Sequence, residues 1–338
     1  GNAVVGQRIS ESTTLVASAA GREPVGIVTR PRVKLPGAGK CFVVARTGQS
    51  NNVAADNGFV VDPADEVITS VPPMPETLFC FNGGAFNHQT GHSSPHAAIP
   101  LDPAQYASLV PLREGLNPWR VSEGSDTAMM EAIAREYDDD AVFVVINIAF
   151  GSSDFQEVVG TSSVKAQPWL NLEAMFQKLI DEAAAATDAG FQAIWGRDVE
   201  LLCASMVGHE SNHDDSQATW EARLDLWDTR IEELRTMTPH SGSTVKLVVQ
   251  PPSPANDGDP VNVGAVNFGH EAWAARSPAD RIVMSAYHID HPDFASVHLY
   301  FAGHRELGEG MGASVGCWLH DGRFAHLRVI SAFLNGSS

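Results

Sequence analysis

The run Lys40-Cys41-Phe42-Val43-Val44-Ala45-Arg46-Thr47-Gly48-Gln49-Ser50-Asn51 joins an apolar, β-branched stretch directly to a glycine-flanked serine. Its first part, Lys40–Ala45, reads as a strand buried on both faces, as strands of parallel sheets are. A strand ending this way can present a hydroxyl at the carboxyl edge of a sheet, where the backbone turns sharply and a substrate can approach. Ser50 is therefore the first candidate nucleophile, against the plainer reading of a polar turn after a strand.

Similar short runs recur at Thr77–Phe81, Val142–Ile148, Glu200–Met206 and Val245–Gln250, with Arg281–Ser285 as a further candidate. Helical patterns lie between them. Ala128–Tyr137 reads as one helix, and Leu172, Met175, Phe176, Leu179, Ile180 and Ala183 share a face of the next. Trp220, Leu224, Trp227, Ile231 and Leu234 do the same in a third, as a stripe facing the sheet. This alternation predicts an α/β fold, a three-layer α/β/α sandwich around a central parallel sheet of about five strands. Residues 1–36 end in Pro31-Arg32-Val33-Lys34-Leu35-Pro36 and read as an extended arm or linker. Residues 37–338 read as one domain with two long polar insertions, Asn82–Pro103 and Pro251–Gly269, of a length that usually marks functional loops.

Composition narrows the ligand. The formal charge of −19 disfavours nucleic acid, whose binding draws its affinity from Lys and Arg neutralising phosphates. A neutral substrate suits the chain better, and the acidity itself reads as solubility. No apolar run is long enough to cross a bilayer, so no membrane partner is expected. Cys41, Cys80, Cys203 and Cys317 are widely spaced with no CxxC pair, and they read as free thiols, most of them in the core. The chain starts at Gly1 without a methionine or a charged-then-apolar leader, which suits a processed product or a piece of a longer protein.

A serine hydroxyl needs a histidine to take its proton and a carboxylate to orient that histidine. Near the carboxyl end, Asp290-His291-Pro292-Asp293-Phe294-Ala295-Ser296-Val297-His298-Leu299 offers both, followed by the pattern of an amphipathic helix. Together these residues resemble the SGNH (GDSL-like) hydrolases, and within them the sialate O-acetylesterase and carbohydrate esterase family 6 branch. Gly48–Asn51 matches that branch's nucleophile block in full. Ala149-Phe150-Gly151-Ser152-Ser153 resembles its glycine turn, Val207-Gly208-His209-Glu210-Ser211-Asn212 its third block, and His298-Leu299 its last. The blocks follow the family order over residues 40–312. The resemblance implies that Ser50 is the nucleophile and His298 the base, with oxyanion donors from the backbone of Ser50 and Gly151 and from the third block. It also implies removal of acyl groups, acetyl in particular, from an acetylated carbohydrate or polysaccharide, with neither metal nor organic cofactor.

The chain departs from the family pattern twice. The family acid lies three residues before the histidine, where this chain has Ala295, so Asp293 or Asp290 must serve from a longer loop. The branch's glutamine before the third glycine is missing, which leaves His209 or Asn212 as side-chain donors. The same block holds a rival motif. His209-Glu210-Ser211-Asn212-His213 is an HExxH sequence, which on a helix would bind Zn²⁺ with Glu210 as general base. Ser211 and Asn212 are poor helix formers, and no third ligand is identifiable. A glycan-binding module without activity is a further alternative, since the usual acid position is Ala295. The arm and the acidic surface would suit an extracellular or virion-associated assembly such as a tail protein that trims acetyl groups from polysaccharide.

The remaining histidines read more plainly. His88, His92 and His96 sit in a Gly- and Ser-rich stretch and read as solvated loop residues, His270 and His288 as core or rim groups, and His304 as a helix-surface residue. Asp138–Asp140 reads as a solvated turn.

Overall fold

The computed structural model describes residues 11–16, 26–31, 33–48, 69–84, 100, 102–114, 124–138, 140–149, 153–207, 215–250, 260–286 and 301–322. Its central strand is the one quoted above, β3 (Lys40–Gly48), buried along nearly its whole length. Two strands precede it, β1 (Glu11–Val16) and β2 (Gly26–Pro31), paired antiparallel in a sheet of their own. Leu35 then joins the main body, donating its N–H to the carbonyl of Glu136 and accepting from the N–H of Asp138.

The main sheet has seven strands. β4 (Leu78–Phe81), β6 (Val142–Asn147), β7 (Asp198–Val207), β8 (Val245–Gln250) and β9 (Arg281–Ser285) run parallel with β3, and the short β5 (Leu109–Pro111) closes one edge antiparallel. The spatial order is β5-β4-β6-β3-β7-β8-β9, which puts β3 in the middle between β6 and β7. The sheet is thus two strands larger than expected. All six candidate runs are strands. The seventh, β5, is three half-buried residues ending in Pro111, too short to show an alternating pattern.

Six α-helices are described: α1 (Asp126–Ala134), α2 (Phe155–Val158), α3 (Gln167–Ala185), α4 (Gln217–Arg235), α5 (Pro260–Ala275) and α6 (Phe301–Asp321). Alternate residues of β3 face opposite layers, as the two-residue period of a strand demands. Cys41, Val43 and Ala45 pack with Phe155, Trp169, Trp220, Trp227 and Trp273 of α2 to α5, while Phe42 and Val44 pack with Met129, Ile133, Leu307 and Met311 of α1 and α6. The three-layer α/β/α sandwich is therefore the observed architecture. Two expected boundaries shift. α1 ends at Ala134 because Tyr137 leaves the helix beside the Leu35 bridge. The second insertion, expected to be a loop to Gly269, is helical from Pro260, where proline is tolerated because the first helical N–H has no partner to lose. Burial of Val266, His270 and Trp273 at helical spacing overrides the low propensity of its Gly and Asn residues.

α1 and α6 cross unusually closely. A Cβ on Gly308 would lie 2.4 Å from the Ser125 carbonyl oxygen, and one on Gly312 would lie 2.4 Å from Cβ of Ala132. Only hydrogen fits there, so the glycines at this spacing set the distance between the helices. At the amino end of β8, Lys246 is buried against Asp228 (2.5 Å), Glu232 (2.9 Å) and Asp280 (3.1 Å). Burial pulls its pKa down, and hydrogen bonds from its ammonium to Asp228 and Glu232 outweigh burial, so the value stands above that of an ordinary lysine.

Candidate active site

Parallel strands end on the same side, and ligands of open α/β sheets bind outside those carboxyl ends. Here β6, β3 and β7 end together, with Arg46 opposite Asn147 and Gly48 opposite Val207. The nucleophile block starts on the last residue of β3, the glycine turn follows the end of β6, and the third block starts on the last residue of β7. The terminal block lies between β9 and α6. Ser50, Gly151, His209, Glu210, Asn212, His213, Asp290, Asp293 and His298 themselves lie outside the described residues, as do His88, His92, His96 and His288.

Gly48 can be only glycine. Its φ is +136°, and a Cβ there would lie 1.9 Å from the carbonyl oxygen of Val207. The chain thus leaves the central strand in a conformation closed to L side chains, two residues before Ser50.

Beneath this edge lies a polar cluster that the sequence reading missed. Arg46, Ser125, Asp126, Asn147 and Ser205 are each 0% exposed. The Arg46 guanidinium donates to Asp126 at 2.5 Å and to the Ser125 hydroxyl at 2.8 Å, reaches Ser205 Oγ of β7 at 3.4 Å and approaches the Met311 sulfur of α6 at 3.7 Å. The Asn147 amide donates to both Asp126 oxygens, at 3.3 and 3.2 Å. Its own carbonyl oxygen accepts the N–H of Ala149 at 3.0 Å, so it shapes the chain just after β6. Asp126 opens α1, where the helix dipole favours a carboxylate, and Glu114 accepts the Thr127 N–H in the same turn at 2.9 Å. A charged residue inside an otherwise apolar strand was the signal available, together with Ser125-Asp126 just before a helical pattern.

Other titratable groups sit in surroundings that decide how each is read. His270 is core, its ring set edge-on to Trp220 at 5.4 Å, and burial drives its pKa down to about 3. Such an imidazole is a poor base near neutral pH. His304 is also buried, which corrects its reading as a surface residue; it shares its helix face with Leu307 and Met311, and that face meets the sheet. Cys41, Cys80 and Cys203 are buried free thiols, and desolvation pushes all three pKa values up, that of Cys41 to about 12, so none supplies a thiolate. Cys317 is half-buried. Asp138 does more than face solvent, since its carboxylate accepts the Gly37 N–H at 3.0 Å. Among the described residues no group of three or more His, Cys, Asp or Glu could hold a metal ion, and no helix is long and apolar enough to cross a membrane.

No protein-family model matches the chain, and no curated protein sequence matches it. Among solved structures it is similar to a protein from Arabidopsis thaliana, at 15% identity, covering 81% of this chain and 97% of that one with a TM-score of 0.49. It is similar to NanS at 12% identity, covering 82% and 97% with a TM-score of 0.48. A carbohydrate esterase family 2 enzyme with its carbohydrate-binding domain, from Corynascus thermopiles (Myceliophthora fergusii), is similar at 11% identity, covering 88% and 72% with a TM-score of 0.41.

Proposed function

We propose that the chain is an SGNH-type serine esterase that removes acyl groups, acetyl in particular, from carbohydrate hydroxyls. The observation that carries this reading is the coincidence of three motif blocks with the carboxyl ends of three adjacent parallel strands, the central one carrying the nucleophile block. A motif that follows any parallel strand falls on this edge, but only neighbouring strands bring three such motifs side by side, and β6, β3 and β7 are neighbours. In the proposed reaction Ser50 attacks the ester carbonyl as His298 takes its proton. His298 then returns that proton to the leaving sugar oxygen, and water repeats the sequence to release the acid. Asp293 or Asp290 orients the imidazole. The backbone N–H groups of Ser50 and Gly151, with His209 or Asn212, bind the oxyanion, each such donor contributing about 3 kcal/mol.

Hydrolysis of an aryl acetate and release of acetate from acetylated polysaccharides test this reading. Ser50→Ala and His298→Ala should each remove turnover while leaving the protein folded. Unchanged turnover in Ser50→Ala would end the reading, and loss of activity to a chelator would favour the HExxH zinc peptidase. Glycan binding without turnover by the unmodified protein would favour a binding module.

A further inference from the structure

We propose that the buried Arg46–Asp126 pair is a positioning device that holds the nucleophile strand, the glycine turn, the third block and the terminal helix in one register. This inference rests on the esterase reading above and assigns to it residues that touch no substrate. A guanidinium and a carboxylate with no exposure lose all their hydration, and well-packed apolar residues of similar volume commonly serve stability as well or better. Stability alone therefore gives the pair no advantage. Its contacts do. The guanidinium belongs to β3 four residues before Ser50 and reaches Ser205 of β7 four residues before His209. Asp126 relays through Asn147 to the N–H of Ala149, two residues before Gly151. Met311 lies on α6, which begins three residues after His298.

An element next to each predicted site block in the chain is thus tied, directly or through one side chain, to a single ion pair. The planar guanidinium has donors in fixed directions, so it fixes angles as well as distances. Catalysis by a hydroxyl, an imidazole and backbone donors on separate loops depends on such registration, since a misplacement of about 1 Å can cost 10²-fold in rate.

The decisive variant is the apolar replacement Arg46→Met/Asp126→Leu, which removes the polar register and keeps the volume filled. Its unfolding midpoint in urea should fall, because the buried Asn147 amide loses its acceptor, while the protein stays folded in the absence of urea. Its kcat on an aryl acetate should fall on the order of 100-fold with KM changed less than about threefold, and phosphonate labelling of Ser50 should slow in parallel. Arg46→Lys, which keeps the charge and loses the fork, should recover part of the rate. A folded double variant with unchanged kcat would overturn the inference. If the double variant does not fold, Asn147→Ala decides, because it cuts only the relay to the glycine turn; a kcat within twofold of the unmodified protein would overturn the inference. An unmodified protein that neither turns over nor is labelled would end the esterase reading and this inference with it. An active, labelled protein with unaffected variants ends this inference alone.

Discussion

Substituting Gly48 isolates what holds the central strand to its neighbour. In Gly48→Ala the new methyl would sit 1.9 Å from the Val207 carbonyl oxygen, so the strands must part by about 1.1 Å to reach even the 3.0 Å that real Cβ atoms respect. That oxygen is backbone in the centre of the sheet and cannot swing aside. Overpacking of this kind costs about 1–3 kcal/mol, and holding alanine at a φ of +136° adds about 1–3 kcal/mol of backbone strain. The expected loss of about 2–6 kcal/mol is a large share of the 5–15 kcal/mol by which domains are stable. Two other glycines separate the two contributions. Gly39 has a φ of +74° with nothing within 4 Å of an added methyl, so Gly39→Ala should cost about 1–2 kcal/mol from handedness alone. Gly242 has open space and no positive φ, so Gly242→Ala should be neutral or stabilising by about 0.4–1 kcal/mol. Urea unfolding of the three variants, with aryl acetate hydrolysis alongside, reads both stability and registration. Gly48→Ala should also lose about 100-fold in kcat because the displacement lies next to Ser50. Equal unfolding midpoints and equal kcat for Gly48→Ala and Gly39→Ala would refute the reasoning.

Further outcomes follow from other parts of the fold. Gly312→Ala should lower the unfolding free energy by about 1–3 kcal/mol despite alanine's better helix propensity, because the methyl meets Ala132 at 2.4 Å and the Met129 carbonyl at 2.7 Å. His270 is neutral in both states above its unfolded pKa of 6.5. As pH falls from 6.5 toward about 3, the unfolded chain takes up a proton that the folded chain refuses. Stability should therefore drop by up to about 1.4 kcal/mol per pH unit in that window, and His270→Leu should flatten this component of a denaturation series. Lys246→Met leaves Asp228, Glu232 and Asp280 without their shared cation. These carboxylates are 20–41% exposed, so the loss should be about 1–3 kcal/mol rather than the full cost of a buried charge. It lies at the amino end of β8, so the kinetic constants should stay unchanged.

Much of this fold was legible because its strands are continuous apolar runs and its helices repeat large residues every three or four positions. Burial on both faces makes a run such as Phe42-Val43-Val44 unmistakable, and Trp220, Leu224 and Trp227 mark one face without help from the rest of the chain. What stayed hidden depends on partners far away in sequence. Arg46 shows no partner in the sequence until Asp126 is seen beside it, 80 residues further on. His304 reads as surface until α6 is packed against the sheet. The glycines at 308 and 312 look like weak points in a helix until α1 is laid across them. The helical start of α5 was lost because Pro, Asn and Gly argue locally for a loop, and only the buried side of Val266 and Trp273 decides otherwise. Three of the motif blocks could be assigned to strand ends from sequence because each follows closely on its own apolar run. Which carboxylate would orient the proposed base His298 could not, since Asp290 and Asp293 both precede it in the same stretch of sequence.

The most direct test of the central claim is to map the adduct formed when the protein reacts with a serine-directed phosphonate. The account predicts one phosphonyl group per chain, on the peptide containing Ser50, appearing in step with loss of aryl acetate hydrolysis and absent from Ser50→Ala. Persistent hydrolysis without an adduct at Ser50, or an adduct on another serine that alone abolishes turnover, would contradict it.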